Sequence, residues 1–360
     1  FLDLLIKEIK CKINIKDYLI YVLLATVCDV MPLRKLNRLI ALNALKNFDI
    51  TKNLALNTLF ELNNKKNKIN INDLGYLIGP ILNAGGRLGK SKYATELLSS
   101  INDLVIEDRS NHLIKLNNKR KEIETLILNE IDFQKIEEQN KEVIIYFNPN
   151  INEGLIGIIA ARLKDYFNKP SIVITASNKL LKGSARSVYN YNIGRVIKNS
   201  LDKKIIINGG GHNMAAGFTL IKENLKDFED YILEDFLKFN TTNDDIFSYE
   251  SEISSLAFNQ DFYDNIRKLE PFGTGNPIPT FMVRDLRIIK PVVLNNKHIS
   301  AILKSKTGFS IKSISFNSIN TKIGEHLMNN KNNINVIGQI SENIWNNKKT
   351  LQLSIRDLIL

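Results

Sequence analysis

Asn208-Gly209-Gly210-Gly211-His212-Asn213-Met214-Ala215-Ala216-Gly217 is the stretch on which the fold turns, and it follows the apolar, strand-like run Ile205-Ile206-Ile207. Three glycines after a strand let backbone N–H groups turn into one concavity, and the small residues behind them admit a closely packed helix. The segment therefore reads as an anion-binding nest in which His212 donates to a phosphate oxygen. The alternative is a tight turn in which His212 only fixes the loop. Upstream, Lys182-Gly183-Ser184-Ala185-Arg186-Ser187 alternates as a strand does, sending Ser184 and Arg186 to one face. A hydroxyl beside a guanidinium makes a fork for phosphate, although many edge strands carry this pair.

Around these motifs strand and helix patterns alternate. Residues 143–147, 171–175 and 182–187 read as strands, and 154–167, 191–200 and 222–239 as helices, which predicts a compact α/β unit over 141–239. Before it, the charged stretch 102–139 carries Leu113, Leu116, Ile123, Ile127 and Ile131 on a thin apolar stripe. That pattern predicts one long helix, broken once, which bridges domains rather than filling a core. After it, the polar run Asn240-Thr241-Thr242-Asn243-Asp244-Asp245 marks a linker. Short strands near 249–255, 280–293, 297–304, 309–316, 333–342 and 349–358, with short helices near 260–269 and 320–328, then predict a small β-barrel of OB type.

Residues 1–62 are helical by pattern, with Leu36, Leu39, Ile40, Leu42 and Leu45 at helical spacing. A strand-like apolar run interrupts them and closes on Asp29. A carboxylate ending a buried strand projects into the crevice where α/β phosphoesterases hold metals; the alternative is an N-cap for the following helix. Residues 63–70 read as a loop, and 75–87 as too glycine-rich for a helix, hence a tight loop presenting Arg87. The chain opens Phe1-Leu2-Asp3-Leu4-Leu5, without Met or a signal-peptide pattern, and reads as starting mid-protein.

The 360 residues suit two or three domains. With 44% hydrophobic and 24% charged residues and no apolar run near the ~18 a span requires, the composition is that of a globular protein without a membrane segment. Cys11 and Cys28 share no metal-ligand spacing and read as buried thiols in a reducing compartment. His112, His212, His298 and His326 are scattered, which argues against a histidine metal centre within the chain. The net charge of +11 suits a polyanionic partner, but the crowding of Lys with Asn and Ile explains it equally well.

Taken in order, Ala25 to Leu33, Leu82 to Leu88, Glu153 to Leu163, Gly183 to Ser187, Gly209 to Gly217 and Glu270-Pro271-Phe272-Gly273-Thr274-Gly275-Asn276-Pro277 resemble the RecJ family of the DHH phosphoesterase superfamily. The resemblance covers essentially the whole chain. It implies an α/β multidomain protein: the C-terminal part of a DHH catalytic domain (1–100), a connecting helix (101–140), a DHHA1 domain (141–239) and an OB-fold barrel (246–360). No Asp-His-His occurs, so the earlier metal motifs are expected upstream of Phe1. Ile151-Asn152 departs from the family pattern, in which Trp-His typically stands before the glycine region.

The activity implied is 5′ to 3′ exonuclease cleavage of single-stranded DNA in repair and recombination. It proceeds by hydrolysis at a two-metal Mn2+ or Mg2+ site supplied mostly by upstream residues. The resemblance makes Asp29 a catalytic metal ligand. It assigns Arg87, Arg162, Ser184 and Arg186 to the 5′ end and adjacent phosphates, with Gly209, Gly210, Gly211 and His212 completing the clamp and His212 joining the catalytic set. The barrel would track the strand by charge and stacking, with Lys297, His298 and Trp345 as candidates. Expected partners are single-stranded DNA, a helicase and a single-strand-binding protein, met by a cytoplasmic monomer. Alone, the chain is expected to be inactive. Two alternatives stay open: a non-catalytic single-strand-binding fragment, and a DHH phosphodiesterase for short oligonucleotides or cyclic dinucleotides.

Overall fold

The computed structural model describes residues 14–65, 68–188, 190–239, 248–329, 332–345 and 348–359, with Leu4 and Glu8; Cys11 and the expected linker at 240–245 lie outside these. The chain divides into two compact units, Phe1–Phe48 with Asn243–Leu360, and Asp49–Thr242.

In the first unit the run expected to be a strand is a helix. Helix α1 (Leu19–Cys28) buries Ile20, Leu23 and Leu24, the i, i+3, i+4 spacing that turns one helical face to a core, and α2 (Lys35–Asn47) follows. An uninterrupted apolar run satisfies both periods, and here the helical contacts win. Asp29 is consequently the exposed C-cap of α1, its N–H donating to the Ala25 carbonyl, and neither ends a strand nor caps α2. Cys28 is a free, half-buried thiol whose pKa is pushed up by burial and then by Asp29.

The second unit begins with α3 (Leu54–Leu62), a π-helical turn (Asp73–Ile78) and α4 (Gly79–Arg87). The segment expected to be a glycine loop is thus helical, running on from the π-helical turn, with Pro80 where that turn passes into α4. Its glycines serve contact rather than turning. A Cβ on Gly85 would lie 2.6 Å from the Lys90 carbonyl oxygen and 3.2 Å from Leu113 Cδ2. After α5 (Lys92–Ser99) comes α6 (Asp103–Glu130), started by the Asn102 side chain accepting from Leu104 and Val105 N–H. The expected break falls at Ile131-Asp132, and Asp132 caps the short α7 (Phe133–Glu138). Helix α6 fills a core as well as connecting: Ile106, Leu113 and Ile127 are buried, and so are Asn117, Arg120 and Glu124.

A five-stranded sheet completes this unit: β1 (Ile144–Phe147), α8 (Ile156–Phe167), β2 (Ser171–Ser177), β3 (Leu180–Arg186), α9 (Ile193–Asp202), β4 (Asn208–His212), β5 (Ala215–Leu220) and α10 (Leu225–Lys238). The strand order is β1-β2-β3-β5-β4, parallel at β1/β2 and antiparallel elsewhere. Helices α9 and α10 bury one face through Val196, Ile197, Phe228 and Ile232 against Ala185, Ala216, Phe218 and Leu220. Helix α8 covers the other face over β2 and β3, its Ile159 and Leu163 sharing a core with Val173.

The C-terminal elements are β6 (Ser251–Glu252), α11 (Gln260–Arg267), β7 (Thr280–Leu294), β8 (His298–Ser305), β9 (Ser310–Ser315), α12 (Lys322–Asn329), β10 (Asn333–Trp345) and β11 (Lys348–Ile359). Hydrogen bonding runs β7-β8-β9-β11-β10 and back to β7, with β9 and β11 parallel, so five strands close into an OB barrel. Val283, Leu286, Leu303, Ile311, Val336 and Leu353 fill it from inward positions of the strands.

Candidate functional site

The site grows from strand register. Arg186 pairs with Ala215, which pairs with His212; Ser184 pairs with Gly217, which pairs with Gly210. Directly paired residues of antiparallel strands project to the same face. One side of the sheet therefore carries Ser184 and Arg186 at one margin and His212 at the other. Between them lies a floor of bare backbone. A Cβ on Gly210 would meet nothing, and one on Gly217 only the Gly183 carbonyl oxygen at 3.8 Å. The intervening glycines face the opposite side and serve packing: a Cβ on Gly183 would sit 2.0 Å from the Phe218 ring, and one on Gly209 2.8 Å from Ile197.

The glycine run is thus an edge strand and forms no nest, Ile205 to Ile207 form no strand, and β5 rather than a helix follows. A strand results because β5 pairs with the run from Asn208 to His212, alternate residues bonding inward and the others facing the open edge. His212 is exposed at the end of β4, and its ring makes no hydrogen bond among the described residues.

The N-terminal turn of α8 walls the Ser184 margin. Arg186 Nη1 donates to Ser184 Oγ at 3.1 Å and to the Ala185 carbonyl at 2.8 Å. A Cβ on Gly157 would lie 2.9 Å from Arg186 Nη2 and 3.1 Å from Ser184 Oγ. Arg87, at the end of α4, donates Nη1 to the Gly154 carbonyl at 3.1 Å, and a Cβ on Gly154 would lie 2.3 Å from the Arg87 carbonyl oxygen. Both glycines are therefore what lets the two arginines close in. The Gly154 N–H donates to Asn152 Oδ1 at 2.8 Å, so the residue that departs from the family pattern shapes this turn.

Electrostatics single out the same pair. Burial lowers the pKa of the half-buried Arg186, and Arg87 lowers it further. Burial also lowers that of Arg87, as does Arg120, while Glu124 opposes them. Glu124 is already committed: Oε2 accepts from Arg120 Nη1 at 2.8 Å and Oε1 from Arg162 Nε at 2.7 Å, while Arg120 Nε donates to Asn117 Oδ1 at 3.1 Å. Arg162 is thus held to Glu124, while Arg87 and Arg186 are both partly desolvated and the charge of Arg87 reaches Arg186. An anion seated between them relieves that repulsion. Asn117, Arg120, Glu124, Gly154 and Gly157 escape the sequence reading. Polar residues at i, i+3 and i+7 on the inward stripe of α6 are the signal that could have found the first three.

Asp29 stands apart in the sequence as the C-cap of α1 in the other compact unit. Among the described residues no group of three or more His, Cys, Asp or Glu could hold a metal ion, so the side chains described do not make a metal centre. In the barrel, His298 Nδ1 accepts from Asn317 N–H at 2.9 Å and its ring meets Phe316 edge-on at 5.3 Å, with Phe316 exposed. Lys297 is exposed beside it; Trp345 ends β10, and its side chain lies outside the description. Among the described residues no helix is long and apolar enough to cross a membrane.

Two protein-family matches coincide with these elements, the DHHA1 domain over residues 140–238 and the RecJ OB domain over 249–357. The single-stranded-DNA-specific exonuclease RecJ of Haemophilus influenzae is 31% identical over 86% of this chain and 56% of that protein. That of Bacillus subtilis is 28% identical over 93% of this chain and 43% of that protein. The chain thus spans about half the length of the curated relatives it matches. The crystal structure of RecJ in complex with Mg2+ from Thermus thermophilus superposes with a TM-score of 0.79 at 22% identity, over 96% of this chain and 52% of that one, which shows a shared fold. With a DHHA1 domain and a RecJ OB domain in tandem, inside one matching fold, the chain belongs to the RecJ family.

Proposed function

We propose that this chain supplies the strand-gripping part of a 5′ to 3′ exonuclease specific for single-stranded DNA. The observation that carries the reading is the Arg87–Arg186 pair, partly desolvated beside Ser184, opening on a shelf floored by Gly210 and Gly217. A terminal phosphate fits the two guanidiniums and the hydroxyl, and the bare floor lets the sugar–phosphate backbone lie close to the sheet. His212 and the edge amides of Gly209 to Gly211 then meet the next phosphates, with Arg162 alongside. The barrel follows the strand by charge and stacking.

The comparison structures of RecJ are complexes with Mg2+ and Mn2+, and divalent ions supply the activation of water for phosphodiester hydrolysis in this reading. Asp29 contributes one carboxylate, and the chain by itself binds without cutting. On the family resemblance alone the proposal extends to the division into 1–100, 101–140, 141–239 and 246–360. It extends likewise to a cytoplasmic monomer working with a helicase and a single-strand-binding protein.

The test is fluorescence anisotropy with one oligonucleotide bearing either a 5′-phosphate or a 5′-hydroxyl, beside a nuclease assay. Tighter binding of the phosphorylated strand is expected, and equal affinity for the two refutes the grip.

A further inference from the structure

The phosphate site leaves one motif unused, Glu270-Pro271-Phe272-Gly273-Thr274-Gly275-Asn276-Pro277, and its contacts lie next to Asp29. The motif closes on itself. Asn276 Nδ2 donates to the Leu269 and Pro271 carbonyls at 3.0 and 2.9 Å, and Gly273 and Asn276 exchange backbone hydrogen bonds of 2.9 and 3.0 Å.

The segment after Asp29, within the same compact unit, takes further carbonyls of the motif and adds a second donor to that of Leu269. Leu33 N–H donates to the Thr274 carbonyl at 2.6 Å, Arg34 Nε to the Gly275 carbonyl, and Arg38 Nη2 to the Leu269 and Glu270 carbonyls at 2.6 and 3.1 Å. Gly275 has φ +72°, and a Cβ there would lie 2.9 Å from Pro32 Cβ. Between Asp29 and Pro32 the backbone passes through Val30 at φ 56°. A β-branched residue in the left-handed region is strained, and the end of α1 holds it there, Met31 N–H donating to the Thr26 carbonyl at 2.9 Å and Val30 N–H to that of Val27 at 3.1 Å.

We propose that residues 269–276 form a clip that holds the Asp29 turn in place, with Arg34, Arg38 and Gly275 as positioning residues for cleavage. The proposal rests on the reading that Asp29 serves the reaction. The clip ties the carboxylate-bearing turn to the loop entering the barrel, so the barrel and the Asp29 turn keep one geometry. Released from the clip, the segment after Pro32 loses its anchor, and the Asp29 turn is held only by the cap hydrogen bonds at the end of α1.

The test uses the protein as the cell makes it, with Gly275→Ala and, should that variant fold poorly, Arg38→Met. Amide exchange, single-strand binding and cleavage are read together. The expected result is faster exchange of the Leu33 amide, by about tenfold or more, with barrel amides such as those of Val336 and Leu353 unchanged. Cleavage shows a fall in kcat of about tenfold, with KM within about twofold. Unchanged Leu33 exchange overturns the clip, and so does an equal speeding of barrel amides, which marks a merely structural role. Wild-type cleavage by Asp29→Ala removes instead the reading on which the proposal rests, and it is told apart because the Leu33 exchange still responds to Gly275→Ala.

Discussion

Arg186→Ala removes the guanidinium that donates Nη1 to Ser184 Oγ and Ala185 O and turns Nη2 toward the Gly157 turn. A terminal phosphate carries more negative charge than the internal diester, and in the proposed grip it is this extra charge that the partly desolvated Arg87 and Arg186 would meet. Losing one charge-assisted contact of this kind costs about 1.5–3 kcal/mol. At about 1.4 kcal/mol per factor of ten, binding of a 5′-phosphorylated strand should weaken roughly ten- to hundredfold. Binding of a 5′-hydroxyl strand should weaken much less, because it offers the pair no dianion. Arg186→Lys should rescue only part of the loss, since an ammonium cannot reproduce a planar fork. Anisotropy titrations on the two oligonucleotides measure the difference directly. Equal losses below about threefold on both, the ±0.5 kcal/mol expected of a surface change, would remove Arg186 from the site.

Other outcomes test the surrounding architecture. Gly210→Val adds a side chain where a Cβ meets nothing, so thermal stability should hold within about 1 kcal/mol while single-strand Kd rises about tenfold or more; unaltered binding would mean that the shelf carries no DNA. Gly154→Ala places a Cβ 2.3 Å from the Arg87 carbonyl oxygen and should reduce the preference for a 5′-phosphate without touching a phosphate-binding side chain, as competition between the two oligonucleotides would reveal. Glu124→Gln leaves Arg120 and Arg162 without their shared carboxylate. Removing a partner from a buried pair costs about 3–5 kcal/mol, to be reduced to about 2–3 here because the Arg162 side chain is 55% exposed. A calorimetric Tm lower by about 4–10 °C should follow, and an unchanged Tm would show the network to be energetically idle. Asp29→Ala in the protein as the cell makes it should abolish cleavage and largely spare DNA binding, which a nuclease assay run beside anisotropy decides.

What the sequence determined by itself is the order of local elements from 143 to 200 and the helix near 222–239, the break in the long helix, the OB barrel and the placing of Ser184 with Arg186 on one strand face, but not the β4–β5 hairpin between them. Each of these follows from a period of two or 3.6 residues, or from polar punctuation, and such signals live within a dozen neighbours. Tertiary structure decided the rest. The run ending at Asp29 satisfies both periods, and only the burial of Ile20, Leu23 and Leu24 makes it a helix. The glycines were the least legible residues, because a glycine's role depends on which atom its missing Cβ would have struck. For Gly154 that atom belongs to Arg87, for Gly183 to Phe218, and for Gly210 there is none, so identical letters became a close-contact turn, a packing notch and an open floor. The Arg162–Glu124 ion pair joins residues 38 apart in the chain, and Arg120 shares the same carboxylate, whose charge also reaches Arg87. Charge balance within a pocket is a sum over residues that meet only in space, and no local pattern encodes it.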